Sequence, residues 1–170
     1  MSAPSKTLIS IEEYLSECYE PDCDYVDGQL EERNLGERTH ARLQTIIAAY
    51  FHARQREWNS YVLTECRIRV KPTRVRIPDI CVFLGDPGQE VPTKPPFLCI
   101  EVLSPEDRMN RVRTRLQDFL DMGVAYVWIL DPYAKTAYVA TAGAGLREVP
   151  DGILRTGNPT FEIPLADLFE

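Results

Sequence analysis

The sequence predicts a mixed α/β fold, and three observations carry that prediction. IPDICVFLG (77–85) and PFLCIEVLS (96–104) are continuous apolar runs, the pattern of strands buried on both faces. AYVWILDP (125–132) is a third such run, and a segment of helical period separates it from the second. Strand, strand, helix, strand in that order gives a mixed sheet, with one right-handed crossover between 97–103 and 125–131.

The elements follow in chain order. SIEEYL opens a short helix: Ser10 caps it, and Glu13, three residues later, completes a capping box. Asp27-Gly28 marks a tight turn between two strand-like pieces of the segment 25–33. Residues 38–57 place Ala41, Leu43, Ile46, Ile47, Tyr50 and Phe51 at helical spacing and predict one long helix. SYVLTECRIRV (60–70) alternates, with Val62, Thr64, Cys66, Ile68 and Val70 on one face, and predicts one strand. After the two apolar strands, Ser104 caps a second helix, with Pro105 at its first position and Asp107 closing a box-like pattern. Met109, Val112, Leu116, Phe119 and Leu120 form its apolar stripe, and Gly123 stops it. TAYVAT and LREVP read as edge strands, and 143–170 carries no clear pattern.

The 170 residues suffice for a single domain with no need of a metal or disulfide staple, and 44% hydrophobic with 26% charged residues excludes disorder and fibrous classes. No apolar run approaches the roughly 18 residues of a membrane span, and no secretory h-region opens the chain. Cys18, Cys23, Cys66, Cys81 and Cys99 are odd in number and form no CxxC pair, so neither a disulfide framework nor a zinc site is expected. Cys81 and Cys99 read as small core residues, and a reducing cytoplasm is the expected compartment.

A net charge of -7 argues against a general nucleic-acid coat, but its distribution is uneven. Arg67, Arg69, Lys71, Arg74 and Arg76 lie in 67–76 with no acid between them. Arg108, Arg111, Arg113 and Arg115 lie in 108–115, again with none. The stretch 12–37 holds ten of the 26 acids and one base, Arg33. Two basic strips in an acidic chain point to a local anionic ligand; solvated faces are the plainer reading.

Two acids stand out. Glu101 lies in a strand flanked by apolar residues, where a carboxylate is costly unless an arginine or a metal ion compensates it. Asp79 enters the preceding apolar strand. Pro-Asp alone is a common turn, but adjacent strands would bring Asp79 and Glu101 together. Two carboxylates at one place repel unless a divalent cation lies between them. Oxygen donors completed by water suit magnesium or manganese.

Pro78-Asp79 followed by Glu101 in an apolar strand resembles the PD-(D/E)XK nuclease superfamily. IEVLSPEDR with its arginine-rich helix, GVAYVWILDP, and the upstream DYVDGQLEERNLGERTH resemble its Uma-type restriction-endonuclease branch, from about Ile11 to Asp131. The resemblance implies a restriction-endonuclease-like single domain over 1–170 with its core at about 11–141. It also implies a central mixed β-sheet flanked by helices and magnesium-assisted hydrolysis of DNA phosphodiester bonds, with Asp79 and Glu101 as metal ligands. The superfamily lysine, two places after the glutamate, is here Leu103. The branch often carries a lysine on the following helix instead, and the matching position is Arg115. An arginine cannot serve as general base, but it holds a phosphate oxygen or stabilises developing charge. Glu32, from a region that often supplies a further acid, is a candidate outer ligand, with neighbouring Glu31 as the choice on the other face. His40 is a candidate contact to phosphate or water. Arg67, Arg69, Arg74, Arg108 and Arg111 are candidate DNA contacts, and cutting both strands with one site per chain favours a homodimer. Glu65 reads as an ion-pair partner of Arg67 and Arg69. Against the enzyme stands a binding module of the same fold, for nucleic acid or another partner, that has lost turnover; a purely structural interaction domain is a third reading.

Overall fold

The computed structural model describes residues 8–34 and 36–169. Helix α1 (Ile11–Ser16) begins at Ser10, whose hydroxyl accepts from the Glu13 amide. A hairpin of β1 (Cys23–Val26) and β2 (Gln29–Glu32) turns at Asp27-Gly28, both with positive φ, as a two-residue hairpin turn requires. Then come α2 (Arg38–Ala53), α3 (Gln55–Trp58), β3 (Ser60–Thr64), β4 (Ile68–Lys71), β5 (Arg74–Arg76), β6 (Ile80–Leu84) and β7 (Leu98–Val102). Helix α4 (Met109–Met122) leads to β8 (Tyr126–Asp131), β9 (Thr136–Thr141), β10 (Gly145–Glu148), β11 (Ile153–Arg155) and β12 (Glu162–Pro164).

Six strands form the central sheet in the order β10-β9-β8-β7-β6-β3. Only β7 and β8, joined through α4, run parallel; the other pairs are antiparallel, so the sheet is mixed as expected. Alternation along its strands sends side chains to two helical layers. Ile80, Val82, Leu98, Ile100, Val102, Trp128 and Leu130 pack against Leu43, Ile47 and Phe51 of α2. Cys81, Phe83, Cys99 and Val127 face Phe119 of α4. Cys81 and Cys99 are fully buried free thiols opposite one another in the ladder. A second, four-stranded antiparallel sheet has the order β2-β1-β5-β4.

Four local expectations are corrected. The single strand over 60–70 is two strands in different sheets. Glu65 adopts a positive φ and breaks the extended run, and after it β4 pairs with β5. The long helix over 38–57 divides at Arg54, whose ψ of 5° leaves the helical region while its guanidinium lies 3.6 Å over the Tyr50 ring. The helix expected from Ser104 begins at Met109. Ser104 and Asp107 instead close a turn, in which the Ser104 amide donates to Asp107 Oδ2 at 2.6 Å. Of the two strands expected at the edge, β9 is interior and only β10 is the edge. The unreadable tail pairs β11 with β12 and buries Phe161, Ile163, Leu165 and Leu168 in the α2-side core, with Phe161 stacked on Trp58. Among the described residues no helix is long and apolar enough to cross a membrane.

Candidate active site

Asp79 stands one residue before β6, whose Ile80 pairs with Ile100, and its Oδ2 accepts the amide of Val102, the residue after Glu101, so the two acids meet at one cavity. Glu101 meets Arg115 of α4, whereas Asp79 meets His40 and Gln44 of α2. Both are buried, at 4% and 7% exposure. The burial that makes these acids conspicuous in the sequence also fixes their partners.

Asp79 is held from three directions. Arg33 donates to Oδ1 at 2.8 Å, while Oδ2 receives the Val102 amide at 2.8 Å and faces His40 Nε2 at 3.2 Å. Gln44 of α2 donates to its backbone carbonyl at 3.1 Å. Glu101 Oε1 accepts from Arg115 at 2.9 Å, and no donor among the described residues reaches Oε2. The same Arg115 nitrogen donates to the Ile77 carbonyl at 2.9 Å, which pins the guanidinium beside the strand entrance. Arg115 thus occupies the place for which the sequence nominated it. Leu103 lines the cavity, and its amide continues the ladder to Leu130 at 2.8 Å.

These groups set one another's protonation. Burial pushes Glu101 up to about 8, against the pull of the Arg115 charge and with the added push of Asp79. Burial also works against the Asp79 charge, but the His40 hydrogen bond and the Arg33 charge outweigh it and hold that carboxyl below its ordinary value. Burial likewise disfavours His40 imidazolium, yet the Asp79 contact prevails and raises the His40 pKa. Burial opposes charge on Arg115 as well, and Glu101, Asp24 and Asp79 overcome it.

Arg33, His40, Asp79, Glu101, Leu103 and Arg115 are among the groups lining a cavity of about 30 Å³, room for at least one water. Asn34 and Asp107, joined at 2.9 Å, bridge the loops on either side of it. His40 Nδ1 is buried with no hydrogen-bond partner among the described residues. A Cβ on Gly36 would lie 2.7 Å from that nitrogen, so the close approach of the loop needs glycine there.

The donor set fits a divalent cation. Glu101 Oε2 has no competing donor among the described residues, Asp79 Oδ1 keeps a second lone pair beside its Arg33 bond, and both acids line the cavity. Among the described residues no three acids, histidines or cysteines form a metal cage, so water would complete the coordination, as magnesium favours.

Other nominated residues lie elsewhere. The Glu32 side chain is exposed and outside the cavity lining; its neighbour Arg33 enters, because one step along an extended chain reverses the face. Arg67 donates to the carbonyls of Leu15 and Glu17 and lies 5.0 Å over the Tyr14 ring. Arg69 donates to the Pro72 carbonyl at 2.8 Å, and Arg74 pairs with Asp27 and Asp118. Glu65, read as the partner of Arg67 and Arg69, pairs with neither. Arg111 donates to the Glu32 carbonyl at 2.6 Å, and Arg108 is exposed just before α4. Sequence reasoning missed Arg33, whose signal was its solitude among ten acids. It also missed Asp24, which sits 3.5 Å from Arg115 Nε and accepts from the Ile77 amide at 3.0 Å.

The Uma2 family model, described as "Putative restriction endonuclease", matches residues 11–164. A solved structure, described as a putative nuclease belonging to DUF820 from Anabaena variabilis, superposes with a TM-score of 0.82 at 20% identity. The match covers 95% of this chain and 97% of that one. No curated protein matches this chain.

Proposed function

From the premise that the chain belongs to the Uma2 restriction-endonuclease family, we propose that it is a magnesium- or manganese-dependent endonuclease that hydrolyses DNA phosphodiester bonds. The observation that carries the reading is the pair Asp79 and Glu101, two buried carboxylates lining one cavity beside Arg115.

Asp79 and Glu101 would hold the cation, which would supply water activation and neutralise charge on the phosphate. Arg115, anchored by Glu101 and the Ile77 carbonyl, presents a fixed positive charge where negative charge develops on the phosphoryl group. Because arginine stays protonated, it stabilises charge rather than removing a proton. His40 and the Val102 amide orient Asp79 through Oδ2, and Arg33 holds Oδ1. Glu32 remains a candidate outer ligand, and Arg67, Arg69, Arg74, Arg108 and Arg111 remain candidate DNA contacts. A symmetric homodimer in the cytoplasm is the expected working form.

A second reading, a binding module without turnover, is favoured by one observation: cationic groups already engage both oxygens of Asp79. Nicking of supercoiled DNA with manganese decides between them. The wild type is expected to nick, and Asp79→Ala or Glu101→Ala to fall to background while still binding DNA. Equal residual nicking by wild type and Asp79→Ala would leave the binding module as the reading.

A further inference from the structure

Among the described residues most cations are used internally, and three of the exceptions converge. Arg38, Arg42 and Lys135 have no hydrogen-bond or ion-pair partner among the described residues, and all three are exposed. They line one cavity of about 240 Å³, with Ile46 and Phe169 as apolar lining. Three cations far apart in sequence, meeting at one cleft without an acid in its lining, point to an anionic occupant.

Two nearby acids, Asp131 and Glu37, lie outside the cleft lining and form no ion pair with its cations among the described residues. Asp131 turns its Oδ1 to the amides of Tyr133 and Ala134, both at 2.9 Å. Glu37, beside Arg38 in the chain, makes no cap bond and no ion pair.

The position of the cleft identifies the anion. His40 and Gln44, on one flank of α2, reach Asp79, whereas Arg38, Thr39 and Arg42 line the cleft on its other flank. The first turns of α2 are therefore the wall between the carboxylate cavity and the cationic cleft. A helix is about 10 Å across with its side chains, which is the rise of roughly three nucleotides at 3.4 Å each. We propose that Arg38, Arg42 and Lys135 form a phosphate-backbone site that holds DNA a few nucleotides from the position cut at Asp79 and Glu101. This surface rests on the nuclease reading of the carboxylate cavity. It contacts backbone charge rather than bases, so its binding is independent of sequence.

The test is the salt dependence of binding to a labelled 24-base-pair duplex, read by fluorescence anisotropy without divalent metal. Arg38→Ala/Arg42→Ala is compared with Arg56→Ala/Lys94→Ala, which removes the same charge from unpaired cations elsewhere. Each phosphate contact contributes about 0.9 to the slope of log affinity against log salt. The first pair is expected to lower the slope by about 1.8 and, with Lys135→Ala added, by about 2.7, while the second leaves it near the wild-type value. Equal changes in both double variants, or a wild type that binds no duplex, would overturn the site. Manganese-dependent nicking by wild type against Asp79→Ala is scored separately. Nicking with unchanged slopes rejects the cleft and keeps the nuclease; a lowered slope without nicking keeps the cleft and rejects the nuclease.

Discussion

Two clusters of buried charge lie side by side under α4, and they are built differently. In the first, Arg76 is fully buried and pairs with Asp24, Glu31 and Asp118, while Asp118 also meets Arg74 and Lys71. Burial works against the Asp118 charge, but Arg76 and Lys71 outweigh it and hold its carboxyl below the ordinary value. In the second, Glu101 has one oxygen on Arg115 and one without a donor, its carboxyl is pushed up, and a cavity adjoins it. Asp24 touches both, through Arg76 at 3.0 Å and Arg115 at 3.5 Å. Charge saturated by partners fastens the second sheet to α4. Charge left under-compensated beside a cavity is available to a ligand.

The largest expected effect breaks the first cluster. Asp118→Ala leaves the buried Arg76 short of a partner, a loss of about 3–5 kcal/mol. For a chain of this size each kcal/mol moves the melting temperature by about 2–4 °C, so a fall of roughly 6–20 °C is expected by calorimetry. Manganese binding measured on the folded variant should stay unchanged. A large loss of metal affinity would show that the clusters are one unit.

Glu101→Gln sharpens the same contrast from the other side. Manganese at a hundred times its dissociation constant stabilises a protein by about 2.7 kcal/mol, or roughly 5–10 °C here. That rise should appear in the wild type and vanish in Glu101→Gln, whose melting without metal changes less than that of Asp118→Ala. Arg33→Met is a smaller and opposite perturbation. It removes a cation that occupies Asp79 Oδ1, and a charge-assisted hydrogen bond contributes about 1.5–3 kcal/mol. Titration calorimetry should therefore find manganese bound roughly tenfold more tightly; weaker binding would mean that Arg33 positions Asp79 rather than competing for it.

The same contrast explains what the sequence could disclose. Asp79 and Glu101 stood out in the sequence because charges inside apolar runs are conspicuous, and Arg115 was nominated by the resemblance to the Uma-type branch; the structure brings the three to one cavity. Arg76 and Asp118 have the same physical character, but Arg76 read as one member of a basic strip and Asp118 as the polar side of an amphipathic helix. The mixed sheet was legible from its apolar runs. The break at Glu65 was not, because one residue with positive φ leaves the alternation of 60–70 intact on both sides. The turn at Ser104 was misread because an acid three residues on satisfies a turn as well as a helix cap. Arg38, Arg42 and Lys135 carried no sequence signal, since only the fold brings Lys135 to α2.

The smallest effect tests whether charge itself does the fastening. The folded protein holds the Asp118 pKa below its ordinary value, whereas the unfolded chain has it near 3.9. Folding therefore favours the ionised form. The stability this contributes is fully present above the unfolded value and is lost as pH falls through the folded one. Asp118→Asn keeps the shape and removes the charge, so its deficit against wild type should be constant from pH 7 to about 5 and shrink below about 4. Urea midpoints at pH 7, 5, 4 and 3 read this directly. Asp27, also held low by Arg74, titrates in the same range but is exposed. In 0.5 M salt its pairing is screened over a few ångströms, while the buried Asp118 pairs are screened far less. A deficit that narrows toward acid in high salt assigns the fastening to the Asp118 charge; a deficit that stays constant to pH 3 assigns it to packing around that side chain.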